Sequence, residues 1–406
     1  MRIVHIITRL ILGGAQQNTI LTAAHQVHRG HEVHVVYGPI YGPEGSLLAD
    51  ARASGAHLHE VAALRRAVLP PHDLLCYIAL RRLIRRLRPE VVHTHSSKAG
   101  ILGRAAAWAE RVPVVVHTIH GLPFHAQQPV WLYRAYVLAE RFAAARCHAL
   151  VGITQAMVDA FHREGIGAGR PFSVIPSGVD TRRFIVADSE RDRAALRAEL
   201  GLGDHADAFI IGIVARLDRL KGQQDLLDVL PEIRRRSQRN VHLLLVGDGW
   251  DRPAIERLIA QRGLGDAVTL TGLVPLDQVP QYLRAMDLMA LPSYQEGQGR
   301  TLVEAMLCGT PVVAYAAGGI PQVCQDGLTG RLVPVGDRHA LTEAILELLH
   351  HPALARQLAD AARAHARTHF SAEAMTSRLE ALYTQLAMRG RRPRASVKRV
   401  SNTHLR

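Results

Sequence analysis

Short apolar runs and amphipathic stretches alternate along the first half of the chain. Ile3–Thr8, Glu32–Tyr37, Val91–Thr94, Pro113–Thr118 and His148–Ile153 are compact β-branched runs that read as strands. Between them, Gln16–His28, Leu74–Leu87 and Ala99–Ala109 repeat their apolar residues at helical spacing. The strand runs are apolar at nearly every position rather than at alternate ones. Such strands are covered on both faces, which indicates βαβ units and a parallel sheet. The second half repeats the arrangement, with strands at Phe209–Val214, His242–Val246, Val268–Thr271, Leu288–Leu291 and Pro311–Ala314 and helices at Gly222–Arg236, Pro253–Arg262 and Thr301–Cys308. Between the halves, Pro176 and Gly178 interrupt the pattern and supply the turn chemistry of a linker. The predicted fold is α/β: two open sheets facing across a crevice, with ligands outside the carboxyl ends of the strands.

A chain of 406 residues suits two domains of ordinary size. Its 49 basic and 36 acidic residues leave a net charge of +13, and only Lys98, Lys221 and Lys398 are lysine. The excess is uneven: residues 1–180 hold 19 basic and 11 acidic residues, 181–388 hold 23 and 25, and 389–406 hold 7 and 0. A nucleic-acid binder is not charged in this way; the aromatic content is 5% and no reader motif occurs. The basic tail 389–406 lacks an apolar period and is expected to be disordered and solvated, with an anionic surface as its other possible contact. Four cysteines without close spacing suggest neither disulfides nor a thiolate zinc site. With no run of about 18 apolar residues and no cleavage site near the start, a cytoplasmic protein is expected.

Candidate chemistry gathers at strand exits. Gly13 and Gly14 follow the first strand and open a helix, so backbone N–H groups and a positive dipole end are available to an anion. The pattern is not GxGxxG, which weakens a dinucleotide reading. His93, His95, His117 and His120 cluster at two later exits. A zinc site is one reading, but no carboxylate lies among them, and a histidine lining the crevice as a hydrogen-bonding group fits better. Arg216 and Lys221 leave the first strand of the second half, where a fork and a point charge suit a pair of phosphates. Gly297 and Gly299 prevent one continuous helix through Glu296 and Glu304. Glu296 is therefore placed in a Gly-rich loop and Glu304 early in the next helix, where a carboxylate can accept two vicinal hydroxyls. Phosphate plus diol is what a nucleotide ribose presents.

Glu296 and Glu304 with the following Ala-Met-Leu-Cys-Gly-Thr-Pro-Val-Val resemble the signature of family 4 retaining glycosyltransferases with the GT-B fold, the bacterial polysaccharide type. The resemblance extends to Gly13-Gly14-Ala15-Gln16, His120-Gly121, Ile175–Asp180, Arg216 with Lys221, and Gly318-Gly319. It implies two Rossmann-like doubly wound domains: an acceptor-side domain over 1–180 and a sugar-nucleotide domain over 181–370. A helix over 371–388 would cross back to the first domain, followed by the tail. Glu304 would hold the ribose, Glu296 the donor sugar, Arg216 and Lys221 the diphosphate, and Gly14 would approach it from the other domain. His120 would sit near the reacting centre, and the backbone at Gly272, Leu273 and Val274 would meet the base. Gln298 and Arg300 depart from a common form of the loop, which has an aromatic and an aliphatic residue there.

The implied activity is hexosyl transfer from a nucleoside diphosphate sugar to a saccharide or lipid-linked acceptor in cell-surface glycan synthesis. Configuration would be retained through front-face attack. No DxD triplet occurs, and fixed cations with a helix N-terminus can stabilise the leaving diphosphate, so neither a metal nor another cofactor is expected. The acceptor half is the basic one. In Leu74–Arg88, Leu80, Leu83, Ile84 and Leu87 form an apolar stripe flanked by five arginines. That helix either packs into its domain or docks the protein peripherally on the anionic inner face of the plasma membrane. Other classes weighed are a sugar-nucleotide 2-epimerase of the same architecture, a basic nucleic-acid-binding protein without enzymatic activity, and a NAD-dependent oxidoreductase using Glu32 on the ribose.

Overall fold

The computed structural model describes residues 1–41, 45–124, 128–184, 193–205 and 207–391. The first half forms a seven-stranded parallel sheet in the order β3-β2-β1-β4-β5-β6-β7. Its strands are β1 (Arg2–Ile6), β2 (Glu32–Tyr37), β3 (His57–Glu60), β4 (Val91–His95), β5 (Val114–Ile119), β6 (Ala149–Gly152) and β7 (Phe172–Val174). The second half forms a six-stranded parallel sheet in the order β10-β9-β8-β11-β12-β13. These are β8 (Phe209–Val214), β9 (Val241–Val246), β10 (Val268–Gly272), β11 (Leu288–Leu291), β12 (Val312–Tyr315) and β13 (Arg331–Val333). The architecture is the expected pair of doubly wound sheets. In each, the strand order reverses between the first strand and a later one: β1 beside β4, and β8 beside β11. Such a switch point leaves a crevice outside the carboxyl ends.

The central strands are buried along nearly their whole length, as their unbroken apolar runs require. Each sheet has its own apolar packing: Ile210, Leu244, Met289 and Val313 belong to one core of the second half, while Val4, Val92 and Val115 belong to one in the first. The Ala372–Arg391 helix packs Met375, Leu379, Leu382 and Tyr383 against Ile3, Val91 and Val116 of the first sheet. The chain crosses between the halves twice, and the crossings pair: Val179 N–H donates to the Phe370 carbonyl and Ala372 N–H to the Val179 carbonyl. The basic tail beyond Arg391 lies outside the described residues. Among the described residues no helix is long and apolar enough to cross a membrane.

The Leu74–Arg88 stripe turns inward. Within the Pro70–Leu87 helix, Cys76, Leu80 and Ile84 are buried in the core, and Leu83 and Leu87 pack against it. The sheet supplies the apolar surface that this face needs, so the stripe is not a membrane-facing one. All four cysteines are free and buried.

Candidate active site

At the switch point of the second sheet, β8 delivers the segment 215–222 and β11 delivers 292–299. The two segments run against each other, and Tyr294 N–H donates to the Leu220 carbonyl over 2.8 Å. Gly222 makes this approach possible: its φ is +74°, and a β-carbon there would fall 2.0 Å from the Pro292 carbonyl oxygen. Lys221 Nζ then donates to Glu296 Oε1 over 2.5 Å, and the Ser293 hydroxyl lies 3.2 Å from the same oxygen. Arg216 does not join them. Its Nη2 donates to Asp218 Oδ2 over 2.9 Å on a more exposed rim. The expected pair of cations is therefore present at the strand exit, but each is engaged by a carboxylate.

The Gly-rich loop ends at Gly299, whose φ of +75° caps the Arg300–Cys308 helix. No side chain caps that helix, and its first turn holds no acidic residue. Glu304 lies one turn in, nearly buried, and accepts from Arg300 Nε over 3.0 Å. Burial raises the Glu304 pKa above the usual carboxylate value, and the Arg300 charge offsets part of that. Arg300 Nη1 is buried and has no hydrogen-bond partner among the described residues. Gln298, where the family often has an aromatic, is buried and clasps the linker. Its Oε1 accepts from Ser177 N–H over 2.6 Å and its Nε2 donates to the Ser177 carbonyl over 3.0 Å. Sequence reasoning placed Gln298 and Arg300 but missed these partners.

Across the cleft, the Gly14–His28 helix begins at Gly13 with no side-chain cap and no acid in its first turn. Among the described residues nothing lies within 4 Å of where a β-carbon on Gly14 would sit. Gln17, Leu21 and His25 of this helix line the cleft from one side; Leu276, Arg300 and Glu304 line it from the other. His120 follows β5, and its carbonyl oxygen would lie 3.4 Å from a β-carbon on Gly297. The two halves thus bring His120 beside the Glu296–Gly297 loop. Leu273 projects into solvent just past β10, 68% exposed, next to Gly272 with its φ of +71°.

The four-histidine zinc reading is not assembled. His117 faces the opposite side of the sheet from His93 and His95 and bonds Thr94, because neighbouring residues on a strand alternate in direction. The histidines that do meet are His5, His93 and His95, with ring nitrogens within 4.8 Å of one another. His5 was missed, since only strand pairing brings β1 beside β4. Within this group His5 Nδ1 lies 3.0 Å from His95 Nε2, and the His93 nitrogens face the Tyr383 and Thr118 hydroxyls. The oxidoreductase reading also fails. Glu32 stands at the amino end of β2, exposed and bonded to Arg2, away from the carboxyl ends where a ribose would bind.

The Glycosyltransferase Family 4 model matches residues 12–183, and the Glycosyl transferases group 1 model matches residues 197–365. With two Rossmann-like sheets facing a cleft, these matches make the chain a GT-B glycosyltransferase acting on nucleotide sugars. More narrowly, it belongs to glycosyltransferase family 4. It is 30% identical over 354 residues to the alpha-D-kanosaminyltransferase of Streptomyces kanamyceticus, covering 81% of this chain and 90% of that protein. It is 34% identical to the D-inositol 3-phosphate glycosyltransferase of Segniliparus rotundus, covering 83% of this chain and 76% of that one. The fold matches that of Anabaena Alr3699/HepE in complex with UDP and glucose, with a TM-score of 0.80 at 24% identity over 95% of this chain and 100% of the other.

Proposed function

We propose that the protein transfers a hexosyl group from a nucleoside diphosphate sugar with retention of configuration and without a metal. The observation that carries this reading is the Lys221–Glu296 pair at the switch point, beside the uncapped Arg300–Cys308 helix. Lys221 and Glu296 neutralise each other. A bound donor would replace the Glu296 contact with the diphosphate on Lys221 and the sugar hydroxyls on Glu296. Arg216 would leave Asp218 in the same way. Fixed cations and the helix N-terminus then stabilise the charge that develops on the leaving diphosphate. The acceptor oxygen attacks from the face that the phosphate leaves, and the phosphate takes its proton. Glu304 accepts the ribose hydroxyls, and the Gly13–Gly14 turn closes on the diphosphate from the other domain. Arg300 stands close enough to Glu304 to add a third cation.

The HepE structures contain UDP and UDP-glucose, so UDP-sugars are the first donors to screen. The account expects sugar transfer to continue in excess chelator, with an α-linked product from an α-linked donor by NMR. Complete loss of transfer that is restored by added Mg²⁺, Mn²⁺ or Zn²⁺, or an inverted anomer, contradicts it.

The acceptor is a saccharide or a lipid-linked sugar of a cell-surface glycan, reached from the cytoplasmic leaflet. The support is a surface of the first domain other than the buried stripe. The Pro70–Leu87, Ser97–Ala109 and Val130–Ala144 helices pack side by side. They expose Leu74, Leu75, Val130 and Trp131 together with Arg82 and Arg86. Exposed apolar side chains with arginines further along the same helix suit an anionic bilayer. Flotation with anionic liposomes at low salt should carry the protein up, and binding should weaken in Trp131→Ala. No flotation at low salt refutes this docking.

A further inference from the structure

A line of hydrogen bonds runs from the core of the first domain to the cleft. Gln26, buried on the Gly14–His28 helix, places Oε1 2.7 Å from His5 Nε2 on β1. His5 Nδ1 lies 3.0 Å from His95 Nε2 on β4. His95 Nδ1 lies 3.0 Å from His120 Nε2, just beyond β5. The strand order β1-β4-β5 puts these rings in sequence on one face of the sheet. At its far end, His120 Nδ1 makes no hydrogen bond among the described residues.

The geometry points to a directional relay in which Gln26, His5 and His95 act as positioning residues, fixing His120 as a neutral imidazole with a bare Nδ1 toward the reaction. This rests on the reading of His120 as a residue near the transferred sugar. The direction follows from valence. An amide oxygen only accepts, so His5 Nε2 carries the proton. A neutral imidazole has one N–H and one lone pair, so His5 Nδ1 accepts and His95 Nε2 donates. The same step gives His95 Nδ1 as acceptor and His120 Nε2 as donor. His120 Nδ1 is left with its lone pair, able to accept from a hydroxyl and unable to donate to one.

Neutral rings are a requirement of the scheme, and the surroundings supply it. Burial holds the His5 and His120 pKa values at about 4 and that of His95 well below its ordinary value. Among the described residues no carboxylate bonds these rings, and the charges that lower His95 beyond burial are those of His93, His120, His5 and His117. Gln26 Nε2 is buried and makes no hydrogen bond among the described residues, while Oε1 is the atom that faces His5. The second branch, His93 between Tyr383 and Thr118, packs beside the relay with its ring 4.3 Å from that of His95.

The relay is tested by nitrogen-15 NMR of the full chain labelled at histidine, with the His120 signals assigned by their loss in His120→Gln. At pH 7 the expected tautomer is protonated at Nε2 and bare at Nδ1. His95→Leu removes the acceptor from His120, and His95→Gln retains one at the same buried position. His95→Leu is expected to mix the His120 tautomers and lower kcat by about tenfold, with the donor KM changed less than about threefold. His95→Gln should restore most of both readouts, and Gln26→Met should move them in the same direction as His95→Leu, by less. A His120 ring that is charged or protonated at Nδ1 overturns the inference. So does a His95→Leu enzyme with unaltered tautomer and turnover, or a His95→Gln enzyme no better than His95→Leu. If the wild type turns over no nucleotide sugar, the proposed function fails, while the nitrogen shifts still decide the relay.

Discussion

Acid should unfold the first domain ahead of the second. His5 and His120 protonate in the folded protein only near pH 4, because burial disfavours their charged forms, against an ordinary value of 6.5. Between those values the unfolded chain holds more protons than the folded one, so stability is full above pH 6.5 and falls as pH falls. At pH 5 the unfolded forms lie about 1.5 pH units below their pKa, which at about 1.4 kcal/mol per unit costs ~2 kcal/mol for each histidine. Together that is ~4 kcal/mol, a large part of the 5–15 kcal/mol typical of a domain. His93, His95 and His117 are lowered as well, chiefly by burial, and act with the same sign; the Arg104 charge adds to the effect at His117. Among the described residues the second domain holds one comparable group, His242 at about 4, and His365, lowered as well by burial. The buried cysteines report each domain separately: Cys76 and Cys147 lie in the first, Cys308 and Cys324 in the second. A urea gradient is pulsed with a methanethiosulfonate reagent, and labelling at each cysteine is read by mass spectrometry at pH 7.5 and 5.0. For a urea slope near 3 kcal/mol/M, the protection midpoint at Cys76 and Cys147 should fall by at least about 1.3 M. The midpoint at Cys308 and Cys324 should fall by less. An unmoved midpoint in the first domain, or a larger fall in the second, refutes the assignment of neutral buried histidines.

Three further outcomes follow from the site. Lys221→Ala and Arg216→Ala should each lower turnover on the order of 10²–10³-fold through lost charge stabilisation, and near-normal rates in both remove the cation clamp. Arg300→Leu should raise the already raised Glu304 pKa, because the Arg300 charge lowers it. The acidic limb of donor binding, followed by calorimetry, should then move to higher pH; an unmoved limb means that Glu304 does not hold the ribose as a carboxylate. Gln298→Leu leaves two buried backbone groups of Ser177 unpaired, an expected loss of about 1–3 kcal/mol in urea unfolding. An unchanged midpoint denies the clasp.

The central strands were legible because burial on both faces writes them as unbroken apolar runs. Apart from β10, predicted at Val268–Thr271, the edge strands were not. β3 (HLHE), β7 (FSV) and β13 (RLV) are short and partly polar, and only a neighbouring strand makes them strands. The helix expected from Leu74 begins at Pro70, since proline is tolerated in a first helical turn. An amphipathic period shows that Leu80 and Ile84 share a face; it does not say whether a sheet or a bilayer covers it. The site was legible in residue type and loop chemistry at Glu296, Gly297, Gly299 and Glu304. Its pairings were not, because Lys221 meets Glu296, and His5 meets His95, through strand order rather than sequence distance. Gln298 and Arg300 stood out as departures, and the fold gives each a partner: Ser177 and Glu304.

The imbalance of charge also resolves by domain, with the near-neutral second half placing Arg216 and Lys221 at the strand exit. The most direct test of that placement is calorimetric titration of UDP-glucose into the wild type and into Glu304→Ala, followed by product analysis with other nucleotide sugars. The account predicts saturable one-site binding of at least one nucleoside diphosphate sugar, lost or weakened at least tenfold in Glu304→Ala while the fold is intact by circular dichroism. Absence of binding to every nucleoside diphosphate sugar offered, or equal binding to Glu304→Ala, contradicts it.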